Sequence, residues 1–402
     1  MIIKIRKETC GYTIFRQDDR KYFFVETSED MKSSSKFSQQ RFLGTYYKDF
    51  EAQKDEVRFV GEQEIKVSTP GLAAPIGMYL EITKKCNLNC GHCYKPEEIN
   101  SSFMRLDQIE GLIDELANIG VMEIRLCGNE PTRSQDFISV AKHIQEKGLY
   151  LGINTNAVMS VETRERFLDL SPNLVVVSID GDIETHDKIR GRGAYEKAVR
   201  LIEDFKARGV ECRINTVLSK VTLDKIFGVV ELANDLRCGV SFLPFRPIGK
   251  DKKFNAENAI NSKQMRKVVE EIMQARKMFP DILLYTYFDV LVEGEPRYHH
   301  PIDKFNMPCP ARKNGFITCS GDFFPCDFLR WAGEKFFCGN IFQEGGFKKL
   351  WKDSRTLQYF QNLKHEKCYR CNYYMKKCYG GCVCNAIASG GSSDDVLCFI
   401  DV

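Results

Sequence analysis

The sequence has neither a long hydrophobic run nor an excess of charge of one sign. No stretch of the 402 residues approaches the roughly 18 apolar residues of a membrane-spanning helix. The 58 basic and 55 acidic residues leave a formal net charge of +3, which does not favour a nucleic-acid-binding surface. The opening residues, 1–7, lack the apolar core of a signal peptide. We therefore expect neither a membrane nor a nucleic acid among the partners.

The sequence is rich in cysteine, with 17 in all. In a long chain without an export signal, so many thiols indicate metal or cluster ligands in a reducing cytoplasm rather than disulfides. Cys86, Cys90 and Cys93 form a C-x3-C-x2-C pattern just after a predicted strand at 78–83. Three thiolates can hold three irons of a [4Fe–4S] cluster and leave the fourth iron open to a reactant. A zinc site is the alternative, although structural zinc usually takes four ligands.

This cysteine loop resembles the signature of radical S-adenosylmethionine (radical SAM) enzymes. About one β-α unit downstream, Gly128, Asn129 and Glu130 resemble the family's Gly-Gly-Glu-Pro motif, with asparagine in place of the second glycine. The resemblance implies that this motif binds the amino group of the methionine moiety of S-adenosylmethionine. It also implies an α/β fold, a partial (β/α)6 TIM barrel, in which the chemistry lies at the C-terminal ends of the strands.

From residue 77 onward, strands alternate with amphipathic helices, which predicts a parallel sheet. The predicted strands are 78–83, 123–126, 150–154, 174–179, 211–218 and 240–245, and the predicted helices include 106–119, 137–145, 194–207 and 262–278. Polar residues near the strand ends are further candidates for cofactor contact: Asn154, Ser178, Arg190 and Asn215. The resemblance implies that a serine here meets the ribose and an arginine the carboxylate. Capping or solvated polar groups are the alternative for each.

Residues 1–75 precede the predicted barrel. Alternating patterns at 2–5, 12–16 and 21–25 predict a small β-meander, and further strands are predicted at 57–60 and 64–67. Many members of the family begin with a peptide-recognition domain, and the alternative for this region is a β-cap on the barrel. We predict the barrel over 76–300 and a cysteine-rich Fe–S domain over 301–402.

The cysteines of this last region resemble the SPASM extension, a C-terminal domain with two auxiliary [4Fe–4S] clusters. Between Cys371 and Cys378 this chain has six residues where the family pattern usually has five. The seven cysteines that follow the family's order are Cys309, Cys326, Cys368, Cys371, Cys378, Cys382 and Cys398. The resemblance implies that Cys309, Cys326 and Cys382 belong to the cluster nearer the active site. The other four then belong to the farther one. Structural zinc knuckles are the competing interpretation.

The nearer cluster has no obvious fourth ligand in the family pattern. Cys319 is our first candidate, followed by Cys338 and Cys384. An open iron is the alternative, and it would allow a substrate thiolate to bind the cluster directly.

The resemblance implies a reaction that the cofactors supply. A reduced cluster cleaves S-adenosylmethionine, and the resulting 5′-deoxyadenosyl radical abstracts a hydrogen atom from the substrate. Two auxiliary clusters, three clusters in all, give the remaining electron an acceptor and favour a net oxidation. We predict an oxidoreductase that installs a thioether or carbon–carbon crosslink in a ribosomally made precursor peptide, with a flavodoxin- or ferredoxin-type protein as its reductant.

Three other functions compete with this one. The first is an anaerobic sulfatase-type maturase that forms formylglycine, and the second is a small-molecule dehydrogenase or epimerase. The third, a non-catalytic electron carrier, is disfavoured by the Glu130 motif and Arg190. Asp327, directly after Cys326, resembles the proton acceptor of sulfatase maturases and is our candidate general base in either maturase. A surface carboxylate is the alternative for Asp327.

Overall fold

The computed structural model describes residues 2–8, 11–17, 21–26, 56–61, 72–94, 103–248, 252–286, 311, 313–332, 334–363, 365–374, 378, 380–388 and 394–400. Cys309 and the predicted strand at 64–67 lie outside these ranges. Over the described ranges, none of the helices has the length and apolar character required to cross a membrane.

The N-terminal strands form a four-stranded sheet of their own. Strands β1 (Ile2–Glu8), β2 (Gly11–Arg16) and β3 (Lys21–Glu26) form an antiparallel meander. Strand β4 (Glu56–Val60) pairs in parallel with β1 and completes the sheet in the order β3-β2-β1-β4. The predicted β-rich N-terminal region is therefore confirmed.

Buried cations join this sheet to the next one. Lys4 Nζ donates to the carbonyl oxygens of Met122 and Gly148 at 3.3 and 2.6 Å. Arg6 is buried beside Glu8, with 2.7 Å between Nε and a carboxylate oxygen. Met122 and Gly148 lie just before two strands of the large sheet. The N-terminal sheet therefore packs at the end of the barrel where its strands begin.

The large sheet is mostly parallel, as predicted. Its parallel strands are β5 (Gly77–Glu81), β6 (Glu123–Cys127), β7 (Tyr150–Thr155), β8 (Leu174–Ser178), β9 (Glu211–Leu218), β10 (Gly239–Pro244) and β11 (Leu284–Tyr285). Each strand pairs with the next one along the chain, which is the arrangement of successive βαβ units. Strands β5 to β10 confirm the six predicted strands and the partial-barrel fold.

Helices connect these strands, and most of them bury an apolar stripe. They are α1 (Leu106–Asn118), α2 (Phe137–Glu146), α3 (Val161–Leu170), α4 (Ile183–Arg190), α5 (Ala194–Ala207), α6 (Ile226–Asp235), α7 (Lys252–Asn258) and α8 (Ser262–Met278). In α1 the buried residues are Ile109, Leu112, Ile113 and Leu116, at the spacing of one helix face. This helical layer and the sheet share one large hydrophobic core.

The C-terminal region extends the barrel sheet. Strand β12 (Asn314–Ile317) pairs in parallel with β5, and β13 (Asp322–Phe324) and β14 (Gly339–Asn340) continue the sheet in antiparallel fashion. Helices α9 (Phe347–Asp353), α10 (Arg355–Asn362) and α11 (Val383–Ala388) follow. The boundary predicted at residue 300 therefore separates segments that share one sheet.

Candidate functional site

The first cysteine loop lies where β5 ends. Cys86 is exposed, whereas Cys90 and Cys93 are half-buried, and all three are free thiols. The Cys93 amide donates to the Cys90 carbonyl at 3.0 Å, which closes a tight turn. Three thiols from one short loop are a donor set that suits three irons of a [4Fe–4S] cluster.

The segment after β6 holds this loop in place. The Glu130 amide donates to the Lys85 carbonyl at 3.1 Å, and Asn129 Nδ2 donates to the Lys84 carbonyl at 2.6 Å. Gly128 has a φ of +107°, and a Cβ there would lie 2.7 Å from Glu81 Cγ. Only glycine fits this position. The asparagine that departs from the family motif therefore makes a contact of its own with the cysteine loop.

The Glu130 carboxylate is fully buried and accepts four hydrogen bonds from its own chain. The donors are the Thr132 amide and hydroxyl, the Thr155 hydroxyl and the Asn156 amide, at 2.7 to 3.2 Å. Burial raises the pKa of Glu130, and these hydrogen bonds oppose the rise. Three of these bonds end on Oε1 and one on Oε2, and each carboxylate oxygen has about two acceptor positions. Glu130 thus clamps the ends of β6 and β7 together, and Oε2 keeps a position for the predicted contact with an amino group.

The last residues of β7 and the residue after it add two amides. Asn154 Oδ1 is buried and has no hydrogen-bond partner in the described part of the chain, as expected of a group that awaits a ligand donor. Asn156, which the sequence analysis did not select, is buried and places Nδ2 at 3.8 Å from Cys86 Sγ and 3.2 Å from Asn87 Oδ1. Asn156 thus contacts the first cysteine loop.

A buried ion pair lies after β8. Arg190 Nε donates to Asp180 Oδ2 at 2.6 Å, and Arg190 Nη2 lies 3.4 Å from His92 Nε2 in the cysteine loop. Burial raises the pKa of Asp180, but the charges of Arg190 and His92 outweigh it and hold the pKa at about 2. Burial lowers the pKa of His92 to about 4. The ionised Asp180 therefore fixes Arg190, whose guanidinium has further donors for a cofactor carboxylate.

Ser178 and Asn215 are the remaining cofactor candidates. They are paired neighbours on β8 and β9, and both are half-buried. The structure thus places the predicted cofactor residues on the adjacent strands β7 to β9 or in the segments that follow β6 and β8.

Asp327 contacts the first cysteine loop from the C-terminal region. It lies in a short 3-10 helix, Asp327–Ala332, and accepts a short hydrogen bond from the hydroxyl of Tyr94, the residue after Cys93. Burial and the charge of Asp327 raise the pKa of Tyr94 well above its usual range, so the phenol stays protonated. The Asp327 side chain is 15% exposed. It is therefore not a surface carboxylate.

A second ion pair, between Arg330 and Glu81, lies beside Asp327. Arg330 Nη1 lies 3.0 Å from Glu81 Oε2, and its Nε lies 3.8 Å from Asp327 Oδ1. Glu81 is fully buried at the end of β5. Sequence analysis did not find this network because Glu81 and Arg330 are far apart in the chain.

The late cysteines fall into two places. Four of them line one cavity in the C-terminal region: Cys368, Cys371, Cys378 and Cys398. Cys326 and Cys382 lie in a separate apolar cluster with Leu329, Phe336 and Phe360. Within the described ranges, no three His, Cys, Asp or Glu side chains converge closely enough to hold a single metal ion.

Two of the three candidates for the missing ligand make other contacts. The Cys319 thiol donates to Glu81 Oε1 at 3.4 Å, and the Cys338 thiol donates to the Phe336 carbonyl at 3.6 Å. The contacts of Cys319 thus do not support our first choice, because its thiol faces the barrel carboxylate.

Comparisons with known proteins agree with this geometry. The family model described as the radical SAM superfamily matches residues 80–233, and the model of the iron–sulfur cluster-binding domain SPASM matches residues 309–372. Mycofactocin maturase MftC of Mycolicibacterium smegmatis is 26% identical over 335 residues, which are 80% of this chain and 81% of the relative. An AdoMet-dependent heme synthase of Methanosarcina barkeri is 28% identical over 336 residues, 79% of this chain and 94% of the relative.

A solved structure matches the whole fold. Streptococcus suis SuiB, bound to the precursor peptide SuiA, superimposes with a TM-score of 0.75 at 17% identity, over 99% of this chain and 98% of SuiB. This match includes the N-terminal sheet as well as the barrel and the C-terminal region.

Proposed function

This chain belongs to the radical SAM superfamily and carries a SPASM domain, and from this we propose that it oxidatively crosslinks a ribosomally made precursor peptide. The observation that carries the proposal is the fold shared with SuiB over 99% of this chain, N-terminal sheet included, because SuiB was solved with a precursor peptide. The similarity to MftC, a maturase by name, supports it over 80% of the chain.

We assign three [4Fe–4S] clusters to the cysteines. The first loop, Cys86, Cys90 and Cys93, would hold the cluster that binds S-adenosylmethionine. Cys368, Cys371, Cys378 and Cys398 would hold the farther auxiliary cluster, and Cys309, Cys326 and Cys382 would belong to the nearer one. When bound, these groups supply a 5′-deoxyadenosyl radical that removes a hydrogen atom from the substrate and an acceptor for one further electron.

The polar residues at the strand ends would hold S-adenosylmethionine. Arg190 would bind its carboxylate, because the buried Asp180 already fixes the guanidinium in place. Asn154 Oδ1 would accept a hydrogen bond from the cofactor, since the described residues give it no other donor. The remaining contacts in this assignment are Gly128, Asn129, Glu130, Ser178 and Asn215.

Asp327 would accept the proton that a two-hydrogen oxidation leaves behind. Its carboxylate is partly buried and lies beside Tyr94, which follows the first cysteine loop directly. Arg330 would orient Asp327 through their 3.8 Å ion contact. The same role would serve a sulfatase-type maturase, so Asp327 alone does not fix the product.

We also propose a cytoplasmic setting with a flavodoxin- or ferredoxin-type protein as electron source. All cysteines of the described ranges are free thiols, which is the state that a reducing compartment maintains.

The relative from Methanosarcina barkeri favours a second candidate, an oxidation of a small molecule. That heme synthase is matched over 94% of its length and over 79% of this chain. The two candidates differ in the substrate that stimulates cleavage of S-adenosylmethionine.

Nucleoside release separates these candidates. We would incubate the anaerobically reconstituted protein with S-adenosylmethionine and dithionite, and measure 5′-deoxyadenosine with peptides encoded beside its gene or with iron tetrapyrroles. The proposal predicts stimulation by a peptide. Stimulation by a tetrapyrrole alone would contradict the proposal and support the second candidate.

A further inference from the structure

Three thiols meet in the apolar cluster of the C-terminal region. Cys326 packs against the same buried cluster that contains Cys382 and Cys384. Cys382 and Cys384 are 6% and 5% exposed, and Cys384 lies in the first turn of α11. The family spacing does not include Cys384, so its place beside two assigned ligands is a feature of this chain.

The surroundings of these thiols suit a bound cluster. Leu329, Phe336, Phe360 and Val383 surround them with apolar side chains, which would exclude water.

A buried cation also faces the thiols. Arg246, which is 5% exposed, places Nη2 at 3.6 Å from Cys382 Sγ. Its guanidinium stacks on Phe328 at 4.0 Å from the ring centroid. A guanidinium this close to a sulfur atom would be stabilised by negative charge on that sulfur. Cluster thiolates would supply that charge.

We propose that Cys384 supplies the missing fourth ligand of the nearer auxiliary [4Fe–4S] cluster, beside Cys326 and Cys382. This inference rests on the proposed function, which supplies the cluster. The thiols of Cys319 and Cys338 instead contact Glu81 and the Phe336 carbonyl, and neither residue belongs to the apolar cluster of Cys382 and Cys384. With four protein ligands the nearer cluster has no open iron. It would then accept an electron and would not bind a substrate thiolate.

The test isolates the nearer cluster in the full-length protein. Alanine replaces Cys86, Cys93, Cys368 and Cys371, so that only the nearer site keeps its ligands. After anaerobic reconstitution, this parent protein is expected to hold about four irons per chain. Iron content and the electron paramagnetic resonance spectrum of the reduced cluster are then measured with and without added 2-mercaptoethanol.

The variants Cys384→Ala and Cys384→Ser decide the inference, and serine keeps the size of the side chain in case alanine disturbs folding. We expect either the loss of about one iron per chain or a spectrum that shifts when 2-mercaptoethanol is added. The matched control is Cys338→Ala, which removes another buried thiol of the same region and is expected to match the parent.

Three results would overturn the inference. A Cys384 variant with the parent's iron content and a spectrum that ignores the added thiol would show that Cys384 is not a ligand. A parent spectrum that already shifts with the added thiol would show an open iron. A parent protein that binds no iron would contradict the auxiliary clusters of the proposed function as well.

Discussion

Tyr94 connects the first cysteine loop to the C-terminal region. Its hydroxyl donates to Asp327, and its ring lies 4.5 Å from the ring of Phe328. Phe328 in turn stacks under Arg246, which reaches Cys382. A continuous set of contacts therefore runs from the loop of the first cluster to the residues assigned to the nearer auxiliary cluster.

Replacing Asp327 tests the proton acceptor. Asp327→Asn keeps the shape of the side chain and removes its basicity, so we expect crosslinked product to fall by about 10²-fold or more. Release of 5′-deoxyadenosine should continue, because the residues assigned to the cofactor are unchanged. Mass spectrometry of peptide and nucleoside from one reaction measures both. Tyr94→Phe is the control, with a smaller loss because it removes only a hydrogen bond. A fully active Asp327→Asn protein would contradict the assignment.

Arg246 is expected to tune the potential of the nearer cluster. Its positive charge stabilises the reduced state, which carries one more negative charge. Arg246→Gln should therefore lower the reduction potential, on the order of 50 mV for about 1 kcal/mol of lost interaction. A redox titration followed by electron paramagnetic resonance measures the shift, and Arg246→Lys should retain part of the effect. An unchanged or higher potential in the glutamine variant would show that Arg246 does not act on the cluster.

His186 makes the apoprotein less stable in mild acid. Its Nδ1 accepts from the Asp180 amide at 3.1 Å, and burial lowers its pKa to about 4. The charged or titrating groups near it are Arg190, Asp180, Asp187 and His92. An unfolded histidine titrates near about 6.5, so the unfolded state binds more protons between these values. Stability is therefore full above about pH 6.5 and falls as the pH drops towards 4, by about 3 kcal/mol in all.

The variant His186→Asn should flatten this part of the stability curve. Urea unfolding of the apoprotein at several pH values between 4 and 7 measures the slope. Tyr195→Phe, which alters a ring beside His186 and leaves the groups that titrate in this range, should keep the slope of the unmodified protein. An equal slope in the His186→Asn protein would assign the acid sensitivity to other groups.

The sequence was sufficient to select candidate site residues, but not to predict which residues they contact. Gly128, Asn129 and Glu130 were recognisable as a motif, and the structure adds that Glu130 accepts four bonds from its own chain. Asn156 and Cys86 are 70 positions apart in the chain and meet only in the fold. Asp180 likewise pairs with Arg190 at the end of α4, and this contact forms only in the fold. Such contacts leave no local pattern in a single sequence.

At the scale of elements, the periodicity of apolar residues was sufficient to predict the strands and helices of the barrel. Strand β8 is an apolar run from Leu174 to Val177 that is buried on both faces, because helices and core cover both sides of a parallel sheet. Strand β12 could not be predicted, since it has only four residues and gains its place by pairing with β5. The pairing of β4 with β1 could not be predicted either. Parallel strands that are distant in sequence are not joined by a short turn, so no turn sequence marks them as partners.

Arg6 is expected to fix the N-terminal sheet to the barrel. It is buried with Glu8 and donates to the carbonyls of Pro75 and Gly120 at 2.8 and 2.9 Å. Arg6→Met leaves the buried Glu8 without its cation, so we expect a loss of about 3–5 kcal/mol in the free energy of unfolding. Chemical denaturation measures it. The control Arg58→Ala breaks the exposed pair with Glu56 and should change stability little. An equally small effect of Arg6→Met would show that this contact does not stabilise the sheet.

At the scale of the whole molecule, the candidate site and the N-terminal sheet lie at opposite ends of the barrel. The cysteine loop and the cofactor candidates lie at or beyond the strand ends, whereas Lys4 contacts Met122 and Gly148 where strands begin. The C-terminal region reaches the site from the side, because β12 pairs with β5 and brings Asp327 and Arg330 to the first loop. The catalytic arrangement therefore depends on the sheet that both regions share.

The stoichiometry of one reaction tests the central proposal most directly. The reconstituted protein is mixed with S-adenosylmethionine, dithionite and the candidate precursor peptide, and mass spectrometry counts 5′-deoxyadenosine and peptide that has lost two hydrogens. An oxidative maturase predicts about one modified peptide for each nucleoside above the rate without peptide, and neither product from Cys93→Ala. Nucleoside release that no peptide stimulates, with every peptide mass unchanged, would contradict the account.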